Sequence, residues 1–358
     1  MNIDFISNQE IIMAARRNLS QDTWDYLTGA AESESTMRRN RLALDSLAFR
    51  PRVLVDVSKV DTSTSFLGHK LRIPVMMAPI GSLQSLVTEG GVAASKAAEQ
   101  FGTLNFLSSV TQPSLEEIAA STNSPKIFQL YVRGDLKWVE KILGRVKKAG
   151  YKALCLTVDS AYYGNRERQM MNRWLPPSKR VESQRHYQTS LTWEVMDAIK
   201  EIARLPFILK GVATAEDAAI AVEHKVDVIY ISNHGGRQLD HGLGTIDMLP
   251  EIVRAVDGKA DIVIDGGFLR GSDVVKALCL GAKAATIGKL QGWALAAAGS
   301  AGLVRALELM EAEIISTMGL LGVSGVQQLK QSCVRAAKPT ALPHEMSTFV
   351  NIPGGRLT

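Results

Sequence analysis

The chain is poor in features that would place it in several large classes. It has three cysteines in 358 residues, Cys155, Cys279 and Cys333, far apart in the sequence. So few exclude a disulfide framework or a cysteine-built metal cluster and fit a reducing compartment, so a cytoplasmic protein is expected. There are six histidines and no HExxH, so no metal centre is expected. No run reaches the roughly 18 continuous apolar residues of a spanning helix. The opening MNIDFISNQEIIMAARRNL lacks a basic stretch leading into an apolar one, so neither a membrane span nor a signal peptide is expected. Helix-turn-helix, finger and aromatic-laced basic patterns are also missing. The net charge of +5 and the clusters Arg38, Arg39, Arg41 and Lys179, Arg180, Arg185 therefore read as a basic enzyme surface suited to anions, not nucleic acid.

What is present is a repeating strand–helix unit. Eight short apolar runs lie at 75–79, 103–109, 126–131, 153–159, 207–211, 228–233, 261–267 and 284–289, with helical stretches such as GDLKWVEKILGRVKKAG between them. The runs are almost continuously apolar, as in parallel strands covered on their outer faces. Eight such units close most economically into an α/β (β/α)8 barrel, because closure removes both sheet edges. A doubly wound sheet fits less well, since GxGxxG does not follow the first strand. The reading is one domain over 1–358: a helical N-terminal extension, a barrel over about 75–335, and a long loop over the mouth at about 160–190 after strand four. The tail after 337 is expected to lie on the surface or hang loose.

Polar residues collect at the C-terminal strand ends: Ser108, Gln129, Tyr131, Thr157, Asp159, Lys210, Ser232, His234 and Asp265. A barrel delivers these ends to one mouth, where its chemistry belongs. The stretch VIYISNHGGRQLDH places His234 and Arg237 three apart on glycine-softened backbone just past a strand. Asp265, at the end of the next strand, is the carboxylate expected to orient His234 as a base. The pair is also half of a hydrolase triad, but no GxSxG elbow accompanies it. Arg237, and Arg166 from the loop, suit a carboxylate anion. Tyr131 offers a hydroxyl. Lys210 is too buried to lack a purpose: it faces an anion or forms a Schiff base, as in an aldolase-like barrel. DGGFLRG and TIGKL resemble phosphate cradles after strands seven and eight.

The segment SNHGGRQLD resembles the signature of the FMN-dependent 2-hydroxy-acid oxidases and dehydrogenases. The likeness continues from about 20 to 335 through AFRPRVLVDVS, FQLYV, LTVD, NRE, LKG, TAEDA and DGGFLRGSDVVKALCLGA. The resemblance implies FMN as cofactor and oxidation of an L-2-hydroxy acid to the 2-oxo acid, with electrons passing to oxygen or another acceptor. It implies His234 as base with Asp265 beside it, Tyr131 at the reacting centre, and Arg237 and Arg166 on the substrate carboxylate. Lys210 would neutralise negative charge on the flavin. Ser108, Gln129, Thr157, Ser232 and the backbone of Pro79, Ile80 and Gly81 would surround the rings and ribityl chain. Gly267, Arg270, Gly288 and Lys289 would hold the phosphate. A homo-oligomer, a tetramer, is also implied.

Three departures from the family pattern matter. Asp25 stands where a substrate-binding tyrosine is usual, with Tyr26 one residue later. If Asp25 faces the pocket, it favours a larger or amine-bearing substrate; if Tyr26 does, an ordinary hydroxy acid is restored. Leu269 and Lys289 stand where phosphate-gripping arginines are usual, with Arg270 next to the first. Val110 replaces a common aromatic and suggests a roomier pocket.

Overall fold

The computed structural model describes residues 3–177 and 186–350, so Lys179, Arg180, Arg185 and part of the mouth loop lie outside the described residues. Eight parallel strands close a barrel in chain order: β1 (Val75–Met77), β2 (Asn105–Ser108), β3 (Lys126–Leu130), β4 (Ala153–Thr157), β5 (Phe207–Val212), β6 (Val228–Ile231), β7 (Asp261–Ile264) and β8 (Ala284–Ile287). β8 pairs back onto β1 in parallel. Along each strand alternate residues point inward. Met76, Phe106, Cys155, Ile208, Tyr230 and Val263 fill the interior. Met77, Leu107, Leu156, Leu209, Ile231 and Ile264 lie under the surrounding helices. This two-sided burial explains the continuous apolar runs.

The end where the strands begin is closed by a hairpin, Thr64–Phe66 paired antiparallel with His69–Leu71. Phe66 and Leu71 are buried in the interior cluster, and the Phe66 ring lies 6.5 Å from that of Phe106. The opposite end carries the N-terminal extension of three helices, α1 (Asn8–Asn18), α2 (Gln21–Thr28) and α3 (Ser35–Asp45). Ser7 and Ser20 start the first two, their hydroxyls accepting the amides of Glu10 and Thr23 that no helical carbonyl reaches. α2 is anchored by Trp24, whose ring stacks 6.1 Å from that of Trp293. α3 is tied to the barrel by Arg41, which donates to Asp273 at 2.7 and 2.8 Å and to Asp45 on its own helix.

The helix Lys289–Leu320 is long and apolar enough to cross a membrane. It breaks at Ala298 and Gly299, and Trp293, Leu303, Leu307, Met310 and Ile314 are buried in the core, the pattern of a buried soluble helix as much as of a span. Val334–Ala336 pairs antiparallel with Leu47–Phe49. The tail, expected to lie on the surface or hang loose, lies on the surface up to residue 350: Leu342 and Val350 are exposed, and Met346 and Phe349 give it two apolar anchors in the core.

Candidate active site

Strand alternation continues upward from the apolar interior into a polar layer. Thr157 and Lys210 lie opposite each other in register, as do Ser108 and Gln129. The Lys210 Nζ donates to Ser232 Oγ at 2.7 Å and sits 3.5 Å from Asp265 Oδ2. Burial alone would depress this amine, but Asp265 and Asp159 outweigh it and hold Lys210 above the ordinary lysine range. An amine held protonated beside two carboxylates is a poor Schiff-base nucleophile, which argues against the aldolase-like alternative. Both amide atoms of Gln129, the Thr157 hydroxyl and Asp265 Oδ1 are buried without a hydrogen-bond partner. Orphaning a buried polar group costs roughly 1–3 kcal/mol, so this layer is built to meet a ligand edge carrying both donors and acceptors.

The next level up holds His234. Nδ1 of His234 is 2.9 Å from Asp159 Oδ1, and Nε2 is 3.4 Å from the Tyr131 hydroxyl. The expected partner, Asp265, is therefore corrected to Asp159. Asp265 sits immediately after β7, level with Ser232 and beside Lys210, whereas Asp159 lies one inward position beyond Thr157, at the height of the imidazole. Burial pushes the imidazole below its ordinary value, with Asp159 partly opposing, so His234 is a neutral acceptor near pH 7. Burial likewise pushes the Tyr131 hydroxyl up, keeping it protonated.

Two glycines make this arrangement possible. Gly236 has φ +76°, and a side chain there would come within 2.6 Å of the Met37 amide on α3. Gly211 lies in the bulge of β5, at φ +110°, and a Cβ would strike the Asp159 backbone and side chain at 2.7–2.9 Å.

Arg237 and Arg166 both line the cavity. Arg237 Nη1 donates to the Gly29 carbonyl at 2.6 Å, and its guanidinium lies 5.2 Å from the Tyr26 ring centre. Arg166, on the mouth loop, donates to the Tyr163 hydroxyl at 2.7 Å and the Arg237 carbonyl at 3.1 Å. Burial first and Arg237 second lower it to about 10. Among the described residues neither arginine has a carboxylate at ion-pair distance, and two uncompensated cations side by side make an anion site.

Tyr26 lines this cavity, its hydroxyl donating to the Gly81 carbonyl at 2.9 Å. The expectation that Asp25 also serves substrate is corrected. Its carboxylate is turned away, accepting from Gln21 at 3.0 Å and Asn172 at 2.7 Å. With it goes the ground for an amine-bearing substrate.

Pro79, Ile80, Gly81, Val110, Gly267, Gly288 and Lys289 also line the cavity. Arg270 does not. Its guanidinium pairs with Glu313 at 2.6 Å, donates to the Thr348 carbonyl and lies 4.7 Å from the Phe349 ring, on the outer side of the loop. Its assignment to the phosphate is corrected accordingly. Sequence reasoning also passed over Thr286, which continues the inward alternation of β8 and hydrogen-bonds Tyr230, and Glu345, which the docked tail brings to the cavity. The first was legible from strand parity; nothing local signalled the second.

The family model for FMN-dependent dehydrogenases matches residues 15–336. An L-lactate oxidase from a Nostoc species is 39% identical over 345 residues, spanning 89% of this chain and 94% of its own. Glycolate oxidase from Spinacia oleracea is 37% identical, spanning 94% and 96%. A solved mandelate oxidase superposes with a TM-score of 0.87 at 36% identity, covering 93% of this chain and all of its own. A peroxisomal (S)-2-hydroxyacid oxidase from Arabidopsis thaliana is 37% identical, spanning 90% and 94%. That name overturns the expectation of a cytoplasmic protein: few cysteines report reducing conditions, which more than one compartment provides. The orphaned polar layer, the cationic Lys210 and the glycine-lined loops after β7 and β8 fit FMN. The chain belongs to the FMN-dependent 2-hydroxy-acid oxidase family, and it uses FMN to oxidise an L-2-hydroxy acid to the 2-oxo acid.

Proposed function

We propose that this chain is an oxidase of L-2-hydroxy acids in which His234 Nε2 accepts the substrate proton and Arg237 and Arg166 hold the substrate carboxylate. The observation that carries this reading is the half-buried His234, its Nδ1 engaged by Asp159 and its Nε2 turned to a cavity shared with two uncompensated arginines. Asp159 fixes the tautomer and stabilises the imidazolium once the proton arrives. Tyr131 and Tyr26 add hydroxyl donors beside the arginines. Gln129, Thr157, Ser108, Ser232, Asp265 and Lys210 would hold the flavin ring and its chain, with the backbone of Pro79 to Gly81. Gly267, Gly288 and Lys289 would hold the phosphate. When bound, FMN supplies the acceptor for the substrate's electron pair; Lys210 is the fixed positive charge placed to offset what arrives. The relatives named as oxidases support oxygen as the final acceptor, and Val110 leaves room for a side chain larger than that of glycolate.

Anaerobic mixing of the holoenzyme with a panel of L-2-hydroxy acids, followed by flavin bleaching, tests the assignment. His234→Ala is expected to slow bleaching by about 10²-fold or more. Asp159→Asn should slow it by a similar order by breaking the orientation of the ring, and Asp265→Asn should act mainly on flavin binding. Near-normal bleaching in His234→Ala would refute the mechanism, and absence of peroxide formation in air would refute oxygen as acceptor.

A further inference from the structure

The phosphate end of the cavity is poor in positive charge. The β7 loop contributes Phe268 and Leu269, both buried and apolar. Arg270 is committed to Glu313, and Arg41 to Asp273 and Asp45. Arg168 is paired with Glu34 and does not line the cavity, and Arg237 is the proposed holder of the substrate carboxylate. Among the described residues that leaves Lys289, the first residue of the helix Lys289–Leu320, which donates to the Thr28 carbonyl at 2.5 Å and to Met37 Sδ. The groups facing Lys289 are Arg237, Arg168, Glu34 and Glu345. Glu345 comes from the C-terminal segment, which is fastened by Met346 and Phe349 in the core. Its carboxylate lines the cavity, with Arg168 Nη2 at 3.7 Å and His344 Nε2 at 3.7 Å. A carboxylate held near the lysine competes with a phosphate for it and repels that phosphate directly.

We propose that in this chain the FMN phosphate meets one available side-chain cation, Lys289, opposed by the Glu345 carboxylate, so that the site separates FMN from riboflavin only weakly and Glu345 sets how weakly. The two flavins share the ring and ribityl chain, so they draw equally on Gln129, Thr157 and Lys210. They differ only in what the phosphate gains. One charge-assisted contact is worth roughly 10- to 150-fold, and an opposing carboxylate subtracts from that. The backbone amides at Gly288 and Lys289 remain as the neutral part of the cradle.

Full-length apoprotein titrated with FMN and with riboflavin, read by flavin fluorescence quenching, tests this without any turnover. The wild type is expected to prefer FMN by less than about tenfold, below the usual range of one unopposed contact. E345Q should tighten FMN roughly five- to tenfold and leave riboflavin unchanged. K289M should weaken FMN to the level of riboflavin. A wild-type preference above about tenfold overturns the proposal, as does E345Q with unaltered FMN affinity. The riboflavin titration reports whether a variant has kept its fold, and the wild-type ratio decides the matter even if a variant binds neither flavin. Failure of both flavins to bind the wild type would instead strike at the cofactor assignment.

Discussion

Neighbouring residues on a helix point about 100° apart, so of Asp25 and Tyr26 on α2 only one can face the barrel mouth. Tyr26 does, lying under the Arg237 guanidinium. Asp25 instead ties Gln21 on its own helix to Asn172, at the end of the short loop helix Glu167–Met171. The roles should therefore separate on substitution. Tyr26→Phe is expected to raise KM for a good L-2-hydroxy acid roughly tenfold, about the worth of one hydrogen bond to a charged group. Asp25→Ala should leave KM within about twofold while lowering stability by about 1–2 kcal/mol through the loss of both contacts. Steady-state kinetics and thermal denaturation on the two variants distinguish these. Improved use of short acids by Asp25→Ala would return the carboxylate to the pocket.

At the scale of the element, the bulge in β5 decides where the carboxylate partner of His234 can stand. Gly211 removes the Cβ that would displace Asp159, and the register between β5 and β6 shifts from Lys210 to Val212 at that point. Gly211→Ala is expected to cost about 1–3 kcal/mol in backbone strain and crowding. It should cut the rate of flavin reduction at least tenfold while FMN binding persists, since the polar layer beneath keeps its geometry. Retention of the normal rate would show that Asp159 has slack. The same bulge explains what the residues disclosed and what they hid. Eight buried parallel strands leave continuous apolar runs, so the barrel could be read directly, as could the gathering of Gln129, Thr157, Lys210 and His234 at its mouth. The pairing of His234 could not. Asp159 and Asp265 both follow strand ends, and the choice between them rests on height in the barrel, where one step of two residues separates the level of Ser232 from that of His234. Arg270 was misplaced for a related reason: its partner Glu313 lies 43 positions away on another helix, a distance at which local sequence carries no signal.

Over the whole molecule, the N-terminal extension is held across the mouth by a buried charge network. Arg41 is almost wholly buried between Asp273, at the N-terminal end of the helix Gly271–Cys279, and Asp45. Burial would raise the Asp273 carboxyl, but Arg41 outweighs it and holds it below the ordinary range. A folded-state pKa below the unfolded value contributes stability that is full above about pH 4 and fades as pH falls through the folded value. Asp273→Asn is expected to cost about 3–5 kcal/mol at neutral pH, because it leaves Arg41 poorly compensated in the interior. Its loss of melting temperature on acidification should be shallower than that of the wild type. Parallel curves for the two proteins between pH 7 and 3 would show that the pair contributes nothing to acid unfolding. At the far end of the barrel, the Thr64–Leu71 hairpin turns the cavity into a cul-de-sac. Whatever goes deepest must enter first. On the proposed placement, with Gln129 and Thr157 below His234 and Arg237, the flavin would be seated ahead of the acid, and a bound acid would bar its exit. Traffic through that mouth would be a stack in which the last arrival leaves first.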